Sequence, residues 1–155
     1  MFEKAILIHN VRSAHNVGAI MRTADGAGVS RVYLSGYTPQ PVDRFGRADR
    51  RLSKTALGAE TMLEWEYSKD ASRIIRRLKK DDWDIFGIEL DPRARDYRDV
   101  TLERNTLFIL GNEVRGLSPA LKDACDVLIE IPMKGEKESL NVAVAAGIVL
   151  FRFSS

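Results

Sequence analysis

Three short stretches gather most of the side chains with chemical use in this 155-residue sequence. The first, His9 to Arg22 (HNVRSAHNVGAIMR), holds two amides, two histidines and two arginines. Amides and guanidinium groups hydrogen-bond phosphates and sugar hydroxyls, and histidine moves protons near neutral pH. The second, Leu110 to Gly116 (LGNEVRG), sets Glu113 between two glycines that let a ligand approach the main chain closely. The third, Met133 to Asn141 (MKGEKESLN), leads into an apolar segment and puts Ser139 and Asn141 at its threshold, where an unpartnered polar group costs about 1–3 kcal/mol. Each residue also has a plainer use. His15 suits a turn, Glu113 can pair with Arg115, and Ser139 and Asn141 can cap a helix. No GxGxxG follows the first apolar run, and neither a GxxxxGKS/T loop nor a GxSxG elbow occurs, so dinucleotide oxidoreductases, P-loop hydrolases and α/β-hydrolases lose their usual anchors.

The elements that must position these stretches alternate in type. Ala5–Ile8 is a short apolar run of the kind a buried parallel strand shows. The spacing of Val17, Ile20, Met21 and Ala24 predicts a helix over 16–27, ending at glycines. Within it Asn16 and Arg22 stand six apart, about 240° around a helix axis, and share a face only if Asn16 caps the helix. Arg31–Leu34, Trp83–Glu89, Thr106–Leu110 and Val127–Ile131 read as further strands, and 70–80 as a helix. Ser118 before Pro119 marks the start of a short helix to Ala124, and 138–153 reads as a closing helix, apolar around most of its circumference and therefore buried. Between them, 36–58 shows little strand or helix signal and reads as a long loop, functional or disordered. Such alternation predicts an α/β fold with a mainly parallel sheet and helices on both faces, in one domain over 1–155.

Composition narrows the function classes. Hydrophobic residues at 45 % and charged residues at 30 % are ordinary for a globular chain. With Cys125 alone no internal disulfide forms, and Cys125, His9 and His15 are too few for a zinc cluster, so no metal is expected. The N-terminus has no small-residue cleavage site and no apolar run approaches the roughly 20 residues of a membrane span, so a cytoplasmic protein without a membrane partner is expected. Net charge is only +2, yet two segments are basic. Asp43–Lys54 carries Arg44, Arg47, Arg50, Arg51 and Lys54 against two acids, and Lys69–Lys80 carries six cations against Asp70. The second has an apolar stripe (Ile74, Ile75, Leu78) and reads as a solvated helix face, whereas the first reads either as a plain soluble loop or as a polyanion contact, because lysine and arginine displace counterions from phosphates.

Together, in this order, the three stretches resemble the motifs of the SpoU (TrmH) family of the SPOUT methyltransferase superfamily. The similar segments are Asn10–Ala24 (NVRSAHNVGAIMRTA), Leu110–Gly116 (LGNEVRG) continuing to Pro132, and Ser139–Ala145 (SLNVAVA), with Lys54–Glu60 (KTALGAE) similar to a further loop. The likeness spans nearly the whole chain. It implies an S-adenosylmethionine-dependent RNA 2′-O-ribose methyltransferase acting on tRNA or rRNA as a homodimer, with a deep C-terminal trefoil knot and neither metal nor DNA partner. Carried over by position, Arg22 is similar to the family's catalytic arginine, with Asn16 beside it at the ribose or phosphate. Glu113 matches the acid of the second motif, and Ser139 and Asn141 match the polar pair of the third. By the same likeness the cofactor lies against Leu110, Gly111, Asn112, Gly116, Ile131, Met133, Ser139 and Leu140. RNA falls to Arg12, His15, Arg44, Arg47, Arg50, Arg51 and Lys54, because no separate RNA-recognition domain is read in this sequence.

Arginine is an awkward base, since a guanidinium normally stays protonated. Either a phosphate or desolvation alters Arg22, or Arg22 orients the phosphate while Glu113 or water takes the proton. The competing class is a non-catalytic RNA-binding or assembly module of the same fold; methylation of a base fits the motifs less well.

Overall fold

The structure, a computed structural model, describes residues 1–154. Seven strands form one all-parallel sheet: β1 (Lys4–His9), β2 (Arg31–Ser35), β3 (Glu64–Ser68), β4 (Asp84–Ile88), β5 (Arg95–Asp96), β6 (Thr106–Leu110) and β7 (Val127–Glu130). Their order across the sheet is β3-β2-β1-β6-β4-β7-β5. The two-residue period of the central strands divides the core. Ile6 and Ile8 of β1 and Phe108 and Leu110 of β6 face one way, packed with helices α1 (Ala14–Gly26), α2 (Arg50–Ala56) and α6 (Val142–Arg152). Ala5, Leu7, Leu107 and Ile109 face the other, under α4 (Ala71–Lys80) and α5 (Pro119–Ala124). Both faces are therefore covered, as a parallel sheet requires. Among the described residues no helix is long and apolar enough to cross a membrane.

The structure departs from the sequence reading in four places. First, the long connection contains α2, and a one-turn helix, α3 (Ala59–Met62), follows it directly. Asp49 caps α2 by accepting from the N–H groups of Arg51 and Leu52, and only Leu52 and Ala56 turn inward. An apolar pair one turn apart among three cations leaves too thin a stripe to read as a period. Second, the edge strand β3 was hidden by its charges. Its Trp65 and Tyr67 pack on the core while Glu64 and Glu66 pair with Arg31 and Arg77. Third, α1 starts at Ala14 with Ser13 as its cap, which places Asn16 inside the helix. Asn16 and Arg22 therefore do not share a face. Fourth, α6 starts at Val142 and is not buried all round. Asn141 is its cap, Glu138 and Ser139 lie in the preceding loop, and Val144 and Phe151 are about half exposed.

Helix α2 sits on α1 at Gly18. A Cβ there would lie 2.2 Å from both the Leu52 carbonyl oxygen and Thr55 Oγ1, so the two backbones touch because glycine leaves room. Thr55 also donates to the His15 carbonyl oxygen at 2.8 Å. Replacing Gly18 by alanine forces the helices apart and is expected to lower stability by about 1–3 kcal/mol despite alanine's better helix propensity. Urea unfolding measures the change, and an unaltered midpoint would show that the α1–α2 contact has slack.

Candidate active-site cleft

Ligands of open parallel sheets bind beyond the carboxyl ends of strands, and a cleft lies beyond β4, β6 and β7. The second motif's Leu110, Gly111, Asn112, Glu113 and Gly116 form part of its wall. Ile131 and Met133 follow β7, and Ser139 and Leu140 lead into α6. All eight residues assigned to the cofactor from sequence thus line one cleft. Its wall leaves no space for side chains at the two glycines. A Cβ on Gly111 would lie 2.6 Å from the Gly116 carbonyl carbon and oxygen. Gly116 has φ of +67°, and a Cβ there would lie 2.0 Å from Glu89 Oε2. The loop between them is closed by reciprocal main-chain bonds, Asn112 N–H to Gly116 O at 3.2 Å and Gly116 N–H to Asn112 O at 2.9 Å. A main-chain wall of this kind, beside the apolar Leu110, Ile131 and Leu140, suits a flat heteroaromatic group with a polar tail.

Glu113 joins the cleft to the start of α1. Its Oε1 accepts the Arg12 N–H at 3.0 Å and its Oε2 the Ser13 N–H at 2.9 Å. Partial burial alone would raise its pKa, but these two main-chain donors and the Asn16 side chain outweigh it and hold the carboxyl below its ordinary 4.5. Asn141 Nδ2 in turn donates to Asn16 Oδ1 at 3.3 Å, while Asn141 Oδ1 accepts the Ala143 and Val144 N–H groups that open α6. The turn after β1, the loop after β6 and the cap of α6 are therefore stitched through Glu113, Asn16 and Asn141. With both oxygens engaged, Glu113 is a poor proton acceptor and a good anchor.

The remaining candidates are spread more widely. Arg22 is exposed on α1, about 9 Å along the axis from Asn16 and on another face. A single chain does not bring it into the Glu113–Asn16–Asn141 bridge. His15 is exposed in the first turn of α1. The basic segment is ordered: Asp43 accepts the N–H groups of Phe45 and Arg47 and pairs with the Arg47 guanidinium at 2.8 Å. Arg44 and Arg47 flank the exposed Phe45 ring, their guanidinium carbons 4.8 and 5.0 Å from its centroid. Arg50, Arg51 and Lys54 are exposed on α2, the helix that packs on the first half of α1. Arg12 is exposed beside the cleft.

Other chemistry lacks its groups. Burial pushes the Cys125 thiol up to about 12, so it is no nucleophile at neutral pH. Among the described residues no three His, Cys, Asp or Glu side chains gather as a metal site would require. Two residues of the site escaped the sequence reading. Glu89, just past β4, lines the cleft and accepts the Leu117 N–H at 2.7 Å; an acid at the carboxyl end of a parallel strand was the available signal. Tyr37, in the connection after β2, accepts a hydrogen bond from Asn112 Nδ2 at 2.9 Å. Nothing in its spacing pointed there.

The Glu113 anchor has a measurable pH signature. A carboxyl whose folded pKa is depressed contributes stability above its unfolded pKa and loses it as pH falls through the folded value. Glu113→Gln is expected to be less stable than the parent chain at pH 7, with the difference shrinking as pH drops below 4.5. Thermal unfolding of both proteins between pH 7 and 3 tests this, and a constant difference over that range would contradict the anchor.

Comparison with known proteins agrees with this geometry. Residues 3–151 match the family described as the SpoU rRNA methylase family. The 23S rRNA (guanosine-2′-O-)-methyltransferase RlmB of Xylella fastidiosa is 36 % identical over 146 residues, covering 94 % of this chain and 56 % of that protein. Its counterpart in Nitrosomonas europaea is 37 % identical over 147 residues, covering 94 % and 54 %. This chain thus spans just over half the length of these curated relatives. Among solved structures, an AdoMet-bound rRNA methyltransferase from Sinorhizobium meliloti superposes with a TM-score of 0.87 at 28 % identity, covering 97 % of this chain and 55 % of that one. The A. aeolicus TrmH/SpoU tRNA modifying enzyme gives 0.85 at 27 % identity, covering 99 % and 75 %. The sheet order, the glycine-walled cleft and the match over nearly every residue lead to one conclusion: the chain belongs to the SpoU rRNA methylase family.

Proposed function

We propose that this chain transfers the methyl group of S-adenosylmethionine to a ribose 2′-hydroxyl of tRNA or rRNA. The observation that carries the reading is that the second and third motifs line one glycine-walled cleft and the first is tied to it through Glu113, Asn16 and Asn141. Relatives named as 2′-O-methyltransferases and an AdoMet-bound relative support it. The cleft fits the cofactor: main chain at Gly111 and Gly116 would hold its polar edges, and Leu110, Ile131, Met133 and Leu140 its flat ring. When bound, the cofactor supplies a methyl group on a positively charged sulfur. The work of the chain is then to align a hydroxyl oxygen behind that carbon, and positioning of this sort accounts for much of an enzyme's rate. Asn16 and Asn141 lie where amides can hold the ribose.

Arg22 fits this scheme as a residue offered to a second copy of the chain. It precedes Gly26 by four residues on α1 and so shares its face. The Phe151 ring of α6 lies 3.4 Å from where a Gly26 Cβ would be, and that ring is 53 % exposed. Arg22 therefore borders an apolar surface on α1 and α6 that a homodimer would bury, which is the path by which its guanidinium reaches a cleft it does not reach within one chain. There it orients a phosphate of the target nucleotide, while the ribose proton leaves to water. The family's trefoil knot belongs to the same reading. Placement of β6 between β1 and β4, and return of α6 to pack on α1, are consistent with it.

Bulk tRNA and rRNA from a strain lacking the gene, incubated with enzyme and cofactor and analysed by nucleoside mass spectrometry, test the reaction. A 2′-O-methylnucleoside is expected, and a methylated base in its place, or none, would overturn the proposal. Arg22→Ala is expected to lose about 100-fold or more in turnover while cofactor affinity measured by calorimetry stays within two-fold. Joint replacement of Arg47, Arg50 and Arg51 by alanine is expected to weaken RNA binding and reduce the slope of log affinity against log salt by about 2, without touching cofactor affinity. An unchanged slope would move the RNA contact elsewhere.

A further inference from the structure

We infer that Tyr37, with Arg12 beside it, is a stacking platform for a nucleobase at the mouth of the cleft, an assignment that rests on the RNA reading above. The residue is held at its main chain and at its hydroxyl, with the ring between them exposed. Its N–H donates to Asn10 Oδ1 at 3.0 Å, and Asn10 is itself fixed in the left-handed region with φ of 55°. The preceding Gly36 has φ of +66°, with the same Asn10 oxygen 1.8 Å from where a Cβ would be, and its carbonyl accepts the Tyr67 hydroxyl at 2.6 Å. The following Thr38 is buried and bonded to Ile8 O and the Val11 N–H. At the far end, Asn112 Nδ2 donates to the Tyr37 hydroxyl oxygen at 2.9 Å. The orientation of that amide is settled by the Val114 and Arg115 N–H groups, both 2.9 Å from its oxygen.

Despite this anchoring Tyr37 is 52 % exposed, and the Arg12 guanidinium carbon lies 5.6 Å from its ring centroid. A buried anchor would hide its ring; a free surface tyrosine would not have both ends fixed. A rigid, exposed aromatic loses little entropy when a ligand stacks on it. Bases stack on such rings irrespective of sequence, and a guanidinium alongside adds to the attraction. Because Asn112 only donates, the Tyr37 O–H hydrogen remains free for a phosphate or base oxygen. The position ties to the reaction: Asn112 lines the cleft, and the Arg12 N–H is one of the two on Glu113. A base on Tyr37 thus sits next to the ribose to be methylated.

The test uses an adenylate dodecamer of RNA with one central 2-aminopurine, whose fluorescence falls when it stacks. The parent protein is expected to quench it on binding. Tyr37→Phe keeps the ring and is expected to quench alike, whereas Tyr37→Ala is expected to lose quenching and about 10-fold or more in affinity. Cofactor affinity by calorimetry is expected to stay within two-fold in both. Absence of quenching in the parent, an unaffected Tyr37→Ala, a Phe variant as weak as the Ala variant, or a parallel loss of cofactor binding each overturns the platform. Quenching without any methyl transfer to tRNA or rRNA strikes the enzymatic reading alone, and methyl transfer without quenching strikes the platform alone.

Discussion

The site depends on two main-chain N–H groups that precede α1 and have no helical carbonyl to donate to. A helix start leaves such donors open, and it favours negative charge. Here the negative charge comes from Glu113, about a hundred residues further along, so the need to satisfy Arg12 and Ser13 brings the loop after β6 to the turn after β1. The sheet has already set the two strands side by side, in register from Lys4 and Thr106 to Ile8 and Leu110. The carboxylate fixes what the strands leave open, namely the orientation of the loops. Asn16 and Asn141 extend the same bond network to the cap of α6, so the cleft's edges are held to one another rather than separately to the core.

How far the sequence disclosed this follows from what each element needs. Strands β1 and β6 are buried on both faces, so unbroken apolar runs announced them, and Ser118–Pro119 announced α5 through its cap. Helix α2 buries Leu52 and Ala56, strand β3 only partly buries Trp65 and Tyr67, and both turn their charges outward. Elements that depend on a neighbour for their stability carry little signal of their own. The same holds for α6. Its apolar circumference suggested full burial, but half-exposed Val144 and Phe151 show that this chain alone does not cover it.

The candidate site was legible as chemistry and not as geometry. Polar residues just beyond apolar strands stood out because parallel sheets place ligands there. That Asn141 would meet Asn16 across 125 positions, or that Tyr37 would lean on Asn112, depends on loop conformations set by left-handed Asn10, Gly36 and Gly116. Single residues in that conformation leave no periodic trace. The separation of Asn16 from Arg22 is a further case: the spacing said they would part unless Asn16 were the cap, and Ser13 takes the cap.

That separation bears on how the proposed reaction disposes of its proton. The Glu113 carboxyl is held below its ordinary 4.5, but its lone pairs already hold two N–H groups, so accepting a proton would break the bonds that shape the cleft. A base of any strength is not required of it. A ribose hydroxyl becomes strongly acidic as its oxygen donates a lone pair to the incoming methyl carbon and takes on oxonium character, and water suffices to take the proton once that bond is forming. In the proposed reaction the protein's contribution lies in alignment: amides on the ribose, a guanidinium on the phosphate, an aromatic ring under the base. Of these, the amides and the ring stand on the chain that carries the cleft, whereas Arg22 stands on its exposed α1 face. Under the proposed reading, cofactor binding does not depend on Arg22 and turnover does, so the two are separable by experiment.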